Sequence, residues 1–179
     1  MPTETTSMYL QSLLPAAKLG VGFGEMLAKD IPADKFARFI TNGGQPIVAN
    51  HPAYAIGHLA IYPAKIAGFL GADTSKFAQM EKWTPVLEQD IECHDDADGS
   101  IYPSKDAIMD AYVSGYAGIV EIVASTDESV FAQENPFEKA RDRFPTVGVM
   151  TNFMLTSHIM FHLGQVSTWR RCNGLGSVM

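Results

Sequence analysis

Apolar residues recur at helical spacing in four long stretches, the pattern of helices with one buried face. The first spans about Met8 to Leu27, with Leu10, Leu13, Leu14, Leu19 and Phe23 apolar. Pro15 either kinks it or marks its true start. Gly20, Gly22 and Gly24 weaken it, unless they let another helix approach closely. The second runs from about Pro52 to Leu70. Pro52 suits a first turn, where a missing N–H costs nothing, and Gly71 suits the stop. Pro63 lies inside this stretch and should bend it just after His58.

The third stretch opens at Tyr102-Pro103-Ser104, with Ser104 as N-cap and Asp106 favourable in the first turn, and continues to about Ala124. Ile108, Tyr112, Gly115, Ile119 and Ile122 form its stripe. Asp110, Ser114 and Glu121 fall on another face, which puts Glu121 in solvent. The fourth runs from about Val147 to Arg171, between Pro145 and Gly174. Strand patterning is poor, and Gln45 to Val48 is at most a short extended piece. The connection between the second and third helices holds a short helix near Thr74 to Met80. It is long enough for a crossover, so those two helices can run parallel. Ser125 to Thr146 joins the last two, again with a short helical turn. The expected fold is all-α, a four-helix bundle with short extra helices in its long connections.

The chain has 179 residues, which suits one domain over 1–179 with a sizeable core. Hydrophobic residues at 46% against 18% charged indicate a globular rather than disordered chain. The net charge of −7 argues against nucleic acid, since no basic stripe exists to displace counterions. The basic pair Arg170-Arg171 is explained by a helix C-terminus. Met1 to Ser7 shows no secretory signal, and no uninterrupted apolar run reaches the roughly 20 residues of a membrane span. Cys93 and Cys172 are too few for a disulfide framework, so reduced thiols and a cytoplasmic location are expected.

Candidate chemistry centres on His58, His158 and His162. His158 and His162 lie four apart and share a helix face, so both can reach one metal ion. His58, on the second helix, can supply a third nitrogen from across a bundle. Three protein ligands leave a position for water or substrate, the arrangement of a catalytic site. Each residue also has a plain reading. Helix histidines are often ordinary, and a lone His58 reads as a hydrogen-bonded core residue. Tyr54, Tyr62, Phe161 and Trp169 can line a pocket, but aromatics at helical spacing are more often core. Cys93-His94-Asp95-Asp96-Ala97-Asp98-Gly99 is a rival metal loop. Aligning Gly99 with the glycine of a calcium loop puts His94 first and Lys105 twelfth, where oxygen ligands are needed, so a solvated Asp-Gly turn is preferred. His51 should lie outside the second helix, with Asn50 in the N-cap region.

Asn50-His51-Pro52-Ala53-Tyr54-Ala55-Ile56-Gly57-His58-Leu59-Ala60 and His158-Ile159-Met160-Phe161-His162-Leu163-Gly164-Gln165 resemble segments of the DinB/YfiT-like family of metal-dependent proteins. The order is similar too: a lone His, a Tyr-Pro-Ser entry to the third helix, then His-x-x-x-His followed by Gly-Gln and Arg-Arg. The resemblance implies an up-down-down-up bundle, often a homodimer, with zinc or nickel on His58, His158 and His162. It also implies use of a low-molecular-weight thiol such as bacillithiol or mycothiol by some members. The expected function is therefore a thiol-dependent S-transferase acting on a small molecule through a metal-bound thiolate. A metal-dependent hydrolase, a non-catalytic binding protein and a helical dimer with vestigial histidines are the alternatives. No carboxylate falls near the ligands in sequence, so no general base is named. Gln165 either orients a ligand or caps a polar patch. The substrate is expected near Tyr62, Gln165 or Trp169.

Overall fold

The computed structural model describes residues 7–178, which are mostly helical. The reading of Met1 to Thr6 as free of a signal lies outside the described residues. Helix α1 (Met8–Ala28) starts where Ser7 accepts a hydrogen bond from the Leu10 N–H, and it runs on through Pro15. Pro15 therefore does not mark its start. A hairpin follows, β1 (Ile40–Asn42) against β2 (Gln45–Ile47), antiparallel, with Thr41 opposite Pro46. The expected extended piece thus has a partner that the sequence reading missed. Gly43 and Gly44 have φ of 57° and 81°, both positive, as a two-residue primed turn requires.

The second long stretch is two helices, α2 (Pro52–Ala60) and α3 (Tyr62–Phe69), parted at Ile61. Pro63 has no N–H for the Leu59 carbonyl and its ring crowds that turn, so the expected bend is a break. The N-cap of α2 is His51 rather than Asn50: His51 Nδ1 accepts from the Tyr54 N–H at 3.1 Å. Short helices α4 (Ala78–Glu81) and α5 (Thr84–Leu87) occupy the next connection. Helix α6 (Lys105–Ser125) is capped by Ser104, as expected. Its buried stripe ends on Val123 rather than Ile122, because three turns span 10.8 residues and carry Tyr112 onto Val123. By length and composition α6 could cross a membrane, yet Tyr112, Tyr116 and Ile119 are fully buried in the core.

Helix α7 (Glu128–Ala132) lies in the last connection. The fourth stretch is not continuous either. It divides into α8 (Val147–Leu155) and α9 (Ser157–Cys172) at Thr156, whose φ and ψ are −127° and −81°. Thr156 Oγ1 donates to the Asn152 carbonyl at 2.6 Å, a side-chain bond that competes with the helix ladder.

Packing runs α1 to α6, α6 to α2, α2 to α9 and α9 back to α1, around one hydrophobic cluster. Lys105, at the start of α6, reaches the Ile31 carbonyl just past the end of α1, and Tyr112 reaches the Gly20 carbonyl, so α1 and α6 run in opposite senses. Tyr9 reaches the Gly148 carbonyl and Arg170 the Leu27 carbonyl, so α1 and the α8–α9 pair run the same way. Tyr62 packs against His158 while Asn50 bonds to Gln165, so α2–α3 opposes α9.

The α1 glycines divide by what they face. A Cβ on Gly24 would stand 2.7 Å from the Tyr112 ring, and one on Gly20 3.2 Å from Ile159, whereas Gly22 faces nothing within 4 Å. Gly24→Ala should therefore destabilise the chain by about 1–3 kcal/mol through overpacking. Gly22→Ala should stabilise it by roughly 0.5–1 kcal/mol, since an open helical position gains only from lower chain entropy when unfolded. Urea midpoints of the two variants check this; equal shifts would contradict the close approach at Gly24.

Candidate metal centre

His58, His158 and His162 come together. Their candidate ligand atoms lie within 4.8 Å of one another, and all three residues are buried. His158 and His162 occupy the first two turns of α9, immediately after the Thr156 break. His58 sits on α2, every residue of which is buried, as expected of a helix apolar on all sides. The ring centroids of His58 and His162 are 4.7 Å apart, and those of His158 and His162 are 4.8 Å apart with planes at 86°.

Burial sets the electrostatics. It pushes His158 down to about 3, helped by neighbouring His162 and His58, and His162 down to about 4, against a partly compensating bond to Gln165. His58 is lowered for the same first reason, opposed by its bond to the Leu87 carbonyl. All three are therefore neutral at physiological pH, the state in which imidazole binds a metal.

Two of the rings have an outer partner. The Leu87 carbonyl lies 2.6 Å from His58 Nδ1. A carbonyl only accepts, so Nδ1 carries the proton and Nε2 is left as the donor to a metal. Leu87 is the last residue of α5, where terminal carbonyls lack helical partners. Gly57 lets it approach: a Cβ there would stand 2.8 Å from Leu87 Cδ1. Gln165 Oε1 lies 3.3 Å from His162 Nδ1 and also accepts from Asn50 Nδ2 at 3.0 Å. His158 has no such partner among the described residues. Its Nδ1 is buried without a hydrogen bond, which is costly for a polar atom unless something else binds it. A divalent cation fits three neutral imidazoles gathered this closely.

Glu88 brings a carboxylate nearby that sequence spacing did not reveal. It is bound to Lys65 at 2.6 Å, and Lys65 lies over the Tyr62 ring, 4.6 Å from its centroid. Burial alone would raise the Glu88 pKa; the Lys65 bond and the Gln89 N–H outweigh it and lower it. An ion-paired carboxylate is a poor general base.

The expected substrate residues separate. Tyr62 packs on the histidines themselves, 4.7 Å from both His58 and His158 between centroids, and burial raises its pKa. Gln165 and Trp169 instead line a cleft of about 510 Å³, with Phe161, Gly164 and Thr168 on the same face of α9 and Ile40, Ala49 and Asn50 opposite. Trp169 is itself buried and donates its indole N–H to the Arg38 carbonyl at 2.8 Å. His51 is outside the cluster, its Nε2 bonded to the His94 carbonyl. In the rival loop, Asp96 accepts from three backbone N–H groups, Asp95 pairs with Arg38, and Gly99 has φ of 72°. Asp96 thus closes the turn and Asp95 ties it to the Arg38–Phe39 segment, so both carboxylates are already engaged.

No family model, curated protein or solved structure matches the chain.

The neutral histidines make stability depend on pH. Folded, His58, His158, His162 and buried His51 all have pKa values below the ordinary 6.5, so in that range the unfolded chain binds more protons. Stability present above about pH 6.5 is then lost as pH falls towards the native values. Metal-free protein should show a urea midpoint that drops between about pH 7 and about pH 5, with a shallower slope in His158→Gln. A flat profile would contradict neutral burial.

Proposed function

We propose that the protein is a divalent-metal-dependent enzyme of the DinB/YfiT-like class that joins a small electrophile to a low-molecular-weight thiol. The carrying observation is the buried trio of neutral imidazoles, with candidate ligand atoms all within 4.8 Å of one another. In this reading the helices form an up-down-down-up four-helix bundle, and His58, His158 and His162 hold zinc or nickel. The order of sequence motifs supports the class, and the pairwise helix senses support the bundle.

Such an ion supplies Lewis acidity, lowering the pKa of a thiol or water that shares its site. The remaining work falls to the chain. Leu87 and Gln165 hold the two outer imidazoles by their Nδ1 protons. Tyr62 and Phe153 pack against His158 and exclude water from that side. Thiol transfer is favoured over hydrolysis by the state of Glu88, which is tied to Lys65. Hydrolysis gains from a free base to move the proton of water, while a thiol needs only acidification.

A homodimer in the cytoplasm completes the proposal. Met8, Leu19 and Met26 are exposed along one line of α1, three and two turns apart, and supply separate apolar anchors for a partner copy. Light scattering should report a dimer at micromolar concentration; a monomer across the accessible range would remove the dimer from this reading.

The activity test is a screen of bacillithiol, mycothiol, glutathione and cysteine against monochlorobimane with zinc- or nickel-loaded protein. At least one thiol should react faster than the uncatalysed rate. His58→Ala should abolish both one-to-one metal binding and the acceleration. Metal binding without acceleration for any thiol would make the protein a binding protein rather than a transferase. Absence of saturable metal binding would refute the centre.

A further inference from the structure

The carboxamide of Gln165 faces two ways. Its oxygen accepts from Asn50 and meets the Nδ1 side of His162. Its nitrogen makes no hydrogen bond among the described residues and is not sealed from solvent, while the residue lines the cleft beside α9. Two N–H donors are therefore available at the cleft wall, on the residue that supports a metal ligand. Phe161, the residue before His162, lines the same cleft, its ring 5.3 Å from the imidazole.

The lining carries no charged side chain. Ile40, Ala49 and Phe161 supply apolar surface over the buried Trp169 ring, and Asn50, Gln165 and Thr168 supply the polar atoms. A volume near 510 Å³ falls within the range of small-molecule sites. A carboxylate or phosphate entering here would lose water with no cation to replace it. An uncharged, largely apolar molecule with one hydrogen-bond acceptor would bury its apolar surface and pair that acceptor with Gln165 Nε2.

We propose that this cleft, on the Nδ1 side of His162, is a binding site for an uncharged apolar or aromatic molecule with a carbonyl-type acceptor that Gln165 receives. The inference rests on the metal-dependent reading for its role in a reaction, though the cleft can be tested separately. Gln165 would then link cleft occupancy to the orientation of His162 through one amide group.

Benzamide and benzoate are matched probes, alike in shape and differing in charge. Chemical shifts of 15N-labelled protein, with and without zinc, would follow each titration. Benzamide should perturb the amides around Phe161 to Trp169 and bind at least about tenfold more tightly than benzoate, a difference of about 1.4 kcal/mol. A Cβ on Gly164 would meet nothing within 4 Å, so Gly164→Leu can start without a clash and place its branch in the cleft. That variant should lose benzamide binding by at least about tenfold and still bind zinc. Gln165→Glu keeps an oxygen for His162 but replaces the N–H donors, and should likewise lose benzamide while retaining zinc. Benzoate binding as tightly as benzamide, benzamide binding that survives Gly164→Leu, or no benzamide binding at millimolar concentration would overturn the proposal. If zinc fails to bind while the benzamide pattern holds, the metal reading falls and the cleft assignment stands.

Discussion

Three imidazoles are buried against one another, and among the described residues only two of them find a hydrogen-bond acceptor outside the cluster. That constraint shapes the interior. Burial strips water from each ring and keeps it neutral, so the lone pairs are ready to bind. It also leaves His158 Nδ1 with a desolvation cost of about 1–3 kcal/mol that no hydrogen bond among the described residues offsets. A metal ion that binds only the folded arrangement of the three rings would stabilise the fold.

The helices are interrupted close to these rings. Ile61 parts α2 from α3 three residues after His58, and Thr156 parts α8 from α9 two residues before His158. Each break frees the histidine-bearing segment from the line of the adjoining helix. The α5 terminus then presents its last carbonyl to His58, across a gap that only a glycine at position 57 leaves open. Departures from regular helix are expected where a site is held.

The histidine trio and the four apolar stretches could be read from residue identity and spacing, because imidazoles at helical intervals and buried stripes leave marks in sequence. The supporting groups leave none. Leu87 acts through its backbone, and any residue there would look the same. His51 caps α2 with a ring nitrogen, a task usually given to Asn, Asp, Ser or Thr, which drew attention to Asn50 instead. The Thr156 break is masked by an apolar period that continues across it. Asn42-Gly43-Gly44 did carry a hairpin signal, hidden by the weak strand patterning beside it. Gln165 and Trp169 share a helix face and so reach the cleft together, while Tyr62, expected beside them, belongs to the histidine cluster.

The central claim is that these three side chains form one metal site. X-ray absorption at the zinc edge of protein loaded with one equivalent tests it most directly. The spectrum should fit three imidazole nitrogens at about 2.0–2.1 Å and one further light ligand, and an added thiol should introduce sulfur at about 2.3 Å. A resting spectrum dominated by oxygen, or by sulfur from Cys93 or Cys172, or one unchanged in His158→Ala, would contradict a three-histidine centre.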